Sequence, residues 1–408
     1  MKPTLDIDAI RRQFPCLDAP VNGKRLAWLD TASTALKPDC VTAAVSDYYR
    51  KSPANIHRSV HTLGETATAI FEDSRQAVQR FINAASPAEI VFTSGTTDSI
   101  NTVAMATGLQ WLRAGDEVLI TELEHHANIV PWQMLRDRIG ITLRVVPVTD
   151  SGDITPEAFQ RELTPRTRLV AFTAVSNAIG TELPVAELTR LAHAAGAKVL
   201  VDAAQAAACM PLDVQALDCD FLVFSGHKLF GPTGIGVLYG KQALLEELPP
   251  VKGGGDMIRS VSFEKTLYNE LPYKFEAGTP DISGAIGLGR AIAFIEDIGF
   301  DAIMQHETAL VAQALERLSA IDGVTIIGQP GKRRNIISFV IDGVHPHDAG
   351  TLLDEDGVAV RAGHHCAQPL LTRLGVPATV RASFSIYNNR QDIEQLAASI
   401  DRITRIFA

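Results

Sequence analysis

The chain has 408 residues, 46% hydrophobic and 21% charged, with a formal charge of −10. That length exceeds one ordinary core and predicts two or three domains, and the acidic balance argues against a nucleic-acid partner, which calls for a basic face. The N-terminus has no apolar core of signal-peptide length and no run of about 18 apolar residues could span a bilayer, so a cytoplasmic protein with no membrane partner is expected.

Asp8 to Phe14 reads as a helix, and Leu26 to Leu29 as a short strand running into the polar loop Asp30 to Thr34, whose hydroxyls suit a site loop and a helix cap equally. Pro53 to Gly64 lacks periodicity and reads as a loop. Glu65 to Phe81 places Ala69, Ile70, Val78 and Phe81 at helical spacing. Next come a strand, Glu89 to Thr93, the turn Ser94-Gly95-Thr96-Thr97, and a helical pattern from Asp98 through Met105. Such a turn aims free N–H groups and the positive helix end at an anion, although an ordinary capped turn looks the same.

The alternation repeats. Strands Glu117 to Ile120, Thr142 to Val148, Leu169 to Val175, Lys198 to Val201 and Phe221 to Phe224 are interleaved with helices Val130 to Arg138 and Val185 to Ala195. This order predicts an α/β fold with a large domain built on a mainly parallel sheet, whose ligand lies at the carboxyl ends of the strands. Thr96, His125, Asn177, Asp202 and Lys228 all fall at such ends. After a helix, Ile282 to Ile298, the pattern changes to helices Ala302 to Leu318 and His347 to Glu355 with strands Val324 to Ile327, Ile336 to Ile341, Val358 to Arg361 and Thr379 to Phe384. The last third is therefore a smaller α+β C-terminal domain. The expected division is 1–25, packing with the small domain, then 26–290 and 291–408.

Asp202 and Lys228 carry the chemical argument. A lysine delivered by a polar turn at a strand end can be desolvated, which frees its neutral amine for a Schiff base. An electron-sink cofactor such as pyridoxal phosphate needs that lysine, a carboxylate for its ring nitrogen and a phosphate anchor, and Lys228, Asp202 and the Ser94 to Thr97 turn offer all three. A dinucleotide is the competing ligand of such a domain, but no GxGxxG follows an early strand. His125 suits a place over the cofactor ring and a structural role equally; His126 reads as structural. Five cysteines without a CxxC pair suggest neither disulfides nor a zinc knuckle, so any cysteine acts alone. Cys366 sits in a glycine-preceded loop flanked by histidines, which can raise its thiolate fraction; a buried inert thiol is the alternative. Metal binding by His364, His365 and Cys366 is disfavoured because adjacent side chains on an extended segment point to opposite sides, and no metal is expected.

The segments SGTTDSIN, EHHANIVPW, VDAAQ, FSGHKLFGPTGIGVLYG, FEAGTP and RAGHHCAQP closely resemble, in the right order and over nearly the whole chain, the class V aminotransferase-fold cysteine desulfurases. The form of the cysteine loop resembles the second group, the SufS and CsdA type. The resemblance implies a pyridoxal-phosphate transferase of fold type I. It implies that Lys228 binds the cofactor and moves protons, that Asp202 meets the pyridine nitrogen and Gln205 the phenolic oxygen, and that His125 stacks on the ring. Thr96, Thr97, Ser225 and His227 match phosphate anchors. Thr279 matches a phosphate contact supplied by the other subunit, which implies a homodimer. Asn177 and Arg381 match the residues that hold the substrate carboxylate, and Cys366 matches the nucleophile that takes sulfur from L-cysteine, leaving L-alanine and a persulfide. A sulfur-acceptor protein of SufE type is then expected, serving iron-sulfur cluster assembly or another thiolation pathway. Selenocysteine lyase on the same fold is the competing activity, and a non-catalytic scaffold the competing class.

Overall fold

The computed structural model describes residues 5–407. Its larger sheet has seven strands in the spatial order Ile90–Thr93, Gly236–Gly240, Phe221–Ser225, Lys198–Asp202, Thr167–Thr173, Glu117–Thr121, Thr142–Val146. From Phe221–Ser225 outward to Thr142–Val146 every pair is parallel. Gly236–Gly240 runs against both of its neighbours.

The strands read as continuous apolar runs because both faces of the sheet are covered. Alternate residues serve the two cores: Leu222, Phe224, Val199 and Val201 join one, and Phe221, Val223 and Leu200 the other. The helix Thr96–Gln110 starts beside the first residue of Gly236–Gly240. An added Cβ at Gly236 would lie 2.4 Å from the Gly95 Cα, and Gly95 has φ +150°. Both positions therefore require glycine, and their close approach brings the helix N-terminus to the edge of the sheet where Ser225 ends its strand.

The second sheet is antiparallel throughout, in the order Val324–Ile327, Ile336–Ile341, Thr379–Ser383, Arg361–Gly363. Helices Phe300–Ser319, Pro346–Glu355 and Arg390–Phe407 contribute to its core. The α/β class and the mainly parallel sheet agree with the sequence reading. Among the elements that the sequence reading leaves unassigned are the helix Asp39–Lys51, the strand Gly236–Gly240 and the C-terminal helix Arg390–Phe407. It also joins Val358 to Arg361 as one strand, whereas the chain pairs first at Val358–Ala359 and again at Arg361–Gly363.

The N-terminal segment lies where the two cores meet. The helix Ile7–Arg11 is capped by Asp6, whose side chain accepts from Ala9 N at 2.9 Å. Beyond it the ring of Phe14 packs against Phe230, Phe294 and Tyr387. Ala27–Trp28 pairs in parallel with Val358–Ala359, and Ala27 and Leu29 are buried in the core of the second sheet, although the sequence reading counts them with the first. Among the described residues no helix is long and apolar enough to cross a membrane.

Candidate active site

The carboxyl ends of the parallel strands open into a cleft of about 510 Å³, closed on its far side by the loop that carries Cys366. Phe221–Ser225 ends at a short turn, Gly226–Lys228, which delivers Lys228 to the cleft. Burial pushes its amine down to about 8, while the carboxylate of Asp202 pulls the other way. Asp202 ends the neighbouring strand, accepts from Ala204 N at 2.9 Å, and has its carboxyl raised by burial. Across the strand end, Thr96 N donates to Ser225 Oγ at 2.8 Å, and the two hydroxyls share a second hydrogen bond of 2.8 Å. The His227 carbonyl accepts from Ala35 N at 3.0 Å and from Lys37 Nζ at 2.9 Å, so the loop after Asp30 braces the lysine turn from below. Gln205 lines the cleft while donating through Nε2 to Ala32 O at 2.8 Å.

His125 is placed by a buried chain of side chains. Thr121 Oγ1 and Thr173 N donate to Glu124 Oε1 at 2.6 and 3.1 Å, Asn128 Nδ2 donates to Glu124 Oε2 at 2.7 Å, and Trp132 Nε1 donates to Asn128 Oδ1 at 3.0 Å. Burial pushes the Glu124 carboxyl up to about 8 against the pull of these donors. His125 Nδ1 accepts from Ala127 N at 3.0 Å, which leaves the proton of the neutral ring on Nε2. Burial, with Lys228 nearby, holds the imidazole down to about 4, so the ring is neutral at ordinary pH. Glu124 was missed from sequence: it lies in a non-helical stretch before the turn His126–Asn128 and the helix Val130–Ile139, where no periodicity marks its contacts with Thr121, Asn128 and Thr173.

Cys366 is exposed, and both it and His365 have positive φ, +54° and +53°. Non-glycine residues in this region need surrounding structure to hold them. Two bonds from the large sheet grip the two backbone carbonyls: Asn177 Nδ2 donates to His365 O at 2.5 Å and His126 N to Cys366 O at 2.7 Å. His126 Nε2 also accepts from Gln368 N at 3.2 Å. His126, read as structural from sequence, thus lies against the cysteine loop. His365 is buried, with Nε2 bonded to Thr379 Oγ1 at 2.7 Å.

Arg381 is buried on Thr379–Ser383. Its Nη1 donates to Asn177 O at 2.7 Å and its Nη2 to Ser33 Oγ at 2.8 Å, while Nε has no hydrogen-bond partner among the described residues. Burial pushes the guanidinium down to about 10.

Of the residues singled out from sequence, Thr96, Thr97, His125, Asn177, Asp202, Gln205, Ser225, His227, Lys228, Cys366 and Arg381 all line this one cleft. Thr279 does not. It is exposed on the segment after Glu276, where its hydroxyl accepts from Asn55 Nδ2 at 3.4 Å. The donor set suits pyridoxal phosphate: a helix N-terminus with the hydroxyls of Thr96, Thr97 and Ser225 for a phosphate, a buried carboxylate for a ring nitrogen, and a desolvated amine for an aldehyde.

The sequence profile of the aminotransferase class-V family matches residues 27–396. A probable cysteine desulfurase of Halalkalibacterium halodurans is 51% identical over 398 residues, covering 98% of each chain. A cysteine desulfurase of Klebsiella pneumoniae is 48% identical over 404 residues, 99% of each chain. Among solved structures, the cysteine desulfurase CsdA from Escherichia coli superposes with a TM-score of 0.93 at 39% identity, covering 100% of both chains. The enzymes of this family use pyridoxal phosphate. With its cleft, its lysine and its cysteine loop arranged as described, the chain belongs to the class-V aminotransferase family and, within it, to the cysteine desulfurases of the second group.

Proposed function

We propose that this protein converts L-cysteine to L-alanine with pyridoxal phosphate bound at Lys228, and that Cys366 takes the sulfur as a persulfide. One observation carries the reading: the loop bearing Cys366 is hydrogen-bonded by Asn177 and His126 against the cleft that holds Lys228, and Cys366 lines that cleft together with Lys228 and Arg381. When bound, the cofactor supplies an electron sink for the carbanion that forms when the substrate α-proton leaves.

The residues divide the work. Arg381 and Asn177 hold the substrate carboxylate, which fixes the α-carbon with respect to Lys228. Lys228, neutral once its proton is lost near pH 8, accepts the α-proton and returns a proton to the product carbon. His125, neutral with its proton on Nε2, can hand a proton on without carrying charge into the buried cleft. Asp202 keeps a carboxylate where the ring nitrogen needs one, and Thr96, Thr97, Ser225 and His227 face the phosphate. The Cys366 thiolate forms a bond to the substrate sulfur as the substrate carbon–sulfur bond breaks, so one thiol and L-cysteine become one persulfide and L-alanine.

Thr279, outside its own chain's cleft, is assigned to the phosphate of a second copy in a homodimer. The exposure of Cys366 supports hand-over of sulfur to an acceptor protein of SufE type. The test is alanine released from L-cysteine and from L-selenocysteine by wild type and Cys366→Ser. Loss of the L-cysteine reaction alone is expected, since selenium leaves more readily; an intact L-cysteine reaction in the variant would sink the persulfide step.

A further inference from the structure

Asp30 lies under the cleft and lines none of it, yet its carboxylate joins three side chains that do. Arg361 donates to it in two-pronged fashion, Nη2 to Oδ2 at 2.9 Å and Nε to Oδ2 and Oδ1 at 3.2 and 3.3 Å. Arg381 Nη2 approaches Oδ1 at 3.4 Å, and Ser33 Oγ donates to Oδ1 at 2.7 Å while accepting from Arg381 Nη2. The residue is 7% exposed. Its backbone is fixed as well, through a bridge to Ser383 and through the amides of Ser33 and Thr34, which donate to the Asp30 carbonyl.

The two arginines are direct register partners across the antiparallel pair Arg361–Gly363 and Thr379–Ser383. Two like charges placed opposite each other on neighbouring strands repel, and one intervening carboxylate offsets that repulsion. Two guanidiniums against one carboxylate leave one surplus positive charge at the cleft wall, matched to one incoming carboxylate. Arg361 also opens the strand that runs within three residues into the Cys366 loop.

We propose that Asp30 is a positioning residue for substrate recognition, acting through Arg381 and Arg361: it sets the orientation of the carboxylate-holding arginine and ties to it the strand that delivers Cys366. The assignment rests on the activity proposed above for this cleft. In the absence of the Asp30 carboxylate the pair would carry two uncompensated charges, and Arg381, still held by Asn177 O, would lose the ion pair at 3.4 Å and the acceptor that orients its Ser33 partner.

The test uses the full-length, cofactor-loaded enzyme. Asp30→Asn keeps the shape and removes the charge. Because a charge-assisted hydrogen bond to a buried group is lost, the KM for L-cysteine is expected to rise about ten- to a hundredfold with a much smaller change in kcat. The dissociation constant for L-alanine, read from the visible absorbance of the bound cofactor without turnover, should rise by a similar factor. Asp30→Glu should restore part of both. Arg361→Gln should weaken binding less than Asp30→Asn, and the double variant should fall short of the product of the two singles. If Asp30→Asn fails to fold, Asp30→Glu and Arg361→Gln decide the matter alone, and wild-type L-alanine affinity in both would overturn the proposal. Wild-type KM and L-alanine affinity in a folded Asp30→Asn would do the same. Absence of alanine formation by the wild type would instead count against the activity, while the L-alanine binding series would still judge Asp30.

Discussion

The two walls of the cleft are built differently. On one side Asp202 and Ser225 are buried at the ends of strands whose side chains are locked into two cores, and Thr96 is buried at the start of the helix beside them. On the other side Cys366 is exposed, on a loop with two residues at positive φ, held by a few hydrogen bonds from Asn177 and His126. The difference matches two tasks. Cofactor chemistry needs donors and charges that do not move, whereas a sulfur carrier must touch the substrate and then be reached from outside.

The comparison breaks first, and most severely, at the fixed wall. On the roles proposed for Lys228, Lys228→Ala would remove both the cofactor's anchor and the proton carrier, so alanine formation from L-cysteine should fall about a thousandfold or more, with loss of the visible absorbance of the lysine-bound cofactor. A variant that keeps that absorbance and turns over normally would show that the lysine turn is not the working wall.

A second test uses pH. Burial lowers the Lys228 pKa, so the neutral amine that captures the cofactor aldehyde is scarce below about 8 and dominant above it. Capture of pyridoxal phosphate by cofactor-free protein should therefore rise with pH by about tenfold per unit below that point and then level off. Asp202 raises the lysine pKa, so Asp202→Asn should move the midpoint to lower pH. A midpoint near that of an ordinary exposed lysine would remove the claim that this wall is desolvated.

The smallest expected effect lies on the exposed wall. His126→Ala leaves Gln368 N without its acceptor, a loss worth about 0.5–1.5 kcal/mol. Alkylation of Cys366 should quicken about two- to tenfold as the loop loosens, with a modest fall in turnover. An unchanged alkylation rate would show that the grip of Asn177 and the backbone bonds suffices.

How much of this was legible beforehand follows from burial. The parallel strands could be read because both faces are covered, which makes Phe221 to Phe224 and Leu169 to Val175 continuous apolar runs. Gly236–Gly240 could not: glycines at both ends, one forced by contact with Gly95, disguise it as a turn. Within the site, Lys228, Asp202 and the Ser94 to Thr97 turn announce themselves by their place after strands. Glu124 and His126 do not, since a carboxylate that holds a motif together and a histidine that caps a distant loop look like ordinary helix-start residues.

The amino-acid sequence by itself determined the fold class, which is written in local pattern as apolar runs, and it singled out Lys228 after a strand and Cys366 in a glycine-preceded loop, whose proposed roles follow from the family resemblance and not from local pattern. Only the tertiary structure decided what stands behind them. Asp30 meets Arg361 and Arg381, 331 and 351 residues further along the chain, and no periodicity reports such a meeting. The same holds for the grip on the Cys366 loop, which Asn177 and His126 exert from the opposite wall. Charges and hydrogen bonds of this kind act over a few ångströms in space whatever their separation in sequence, so they become visible only once the strands have set the distances.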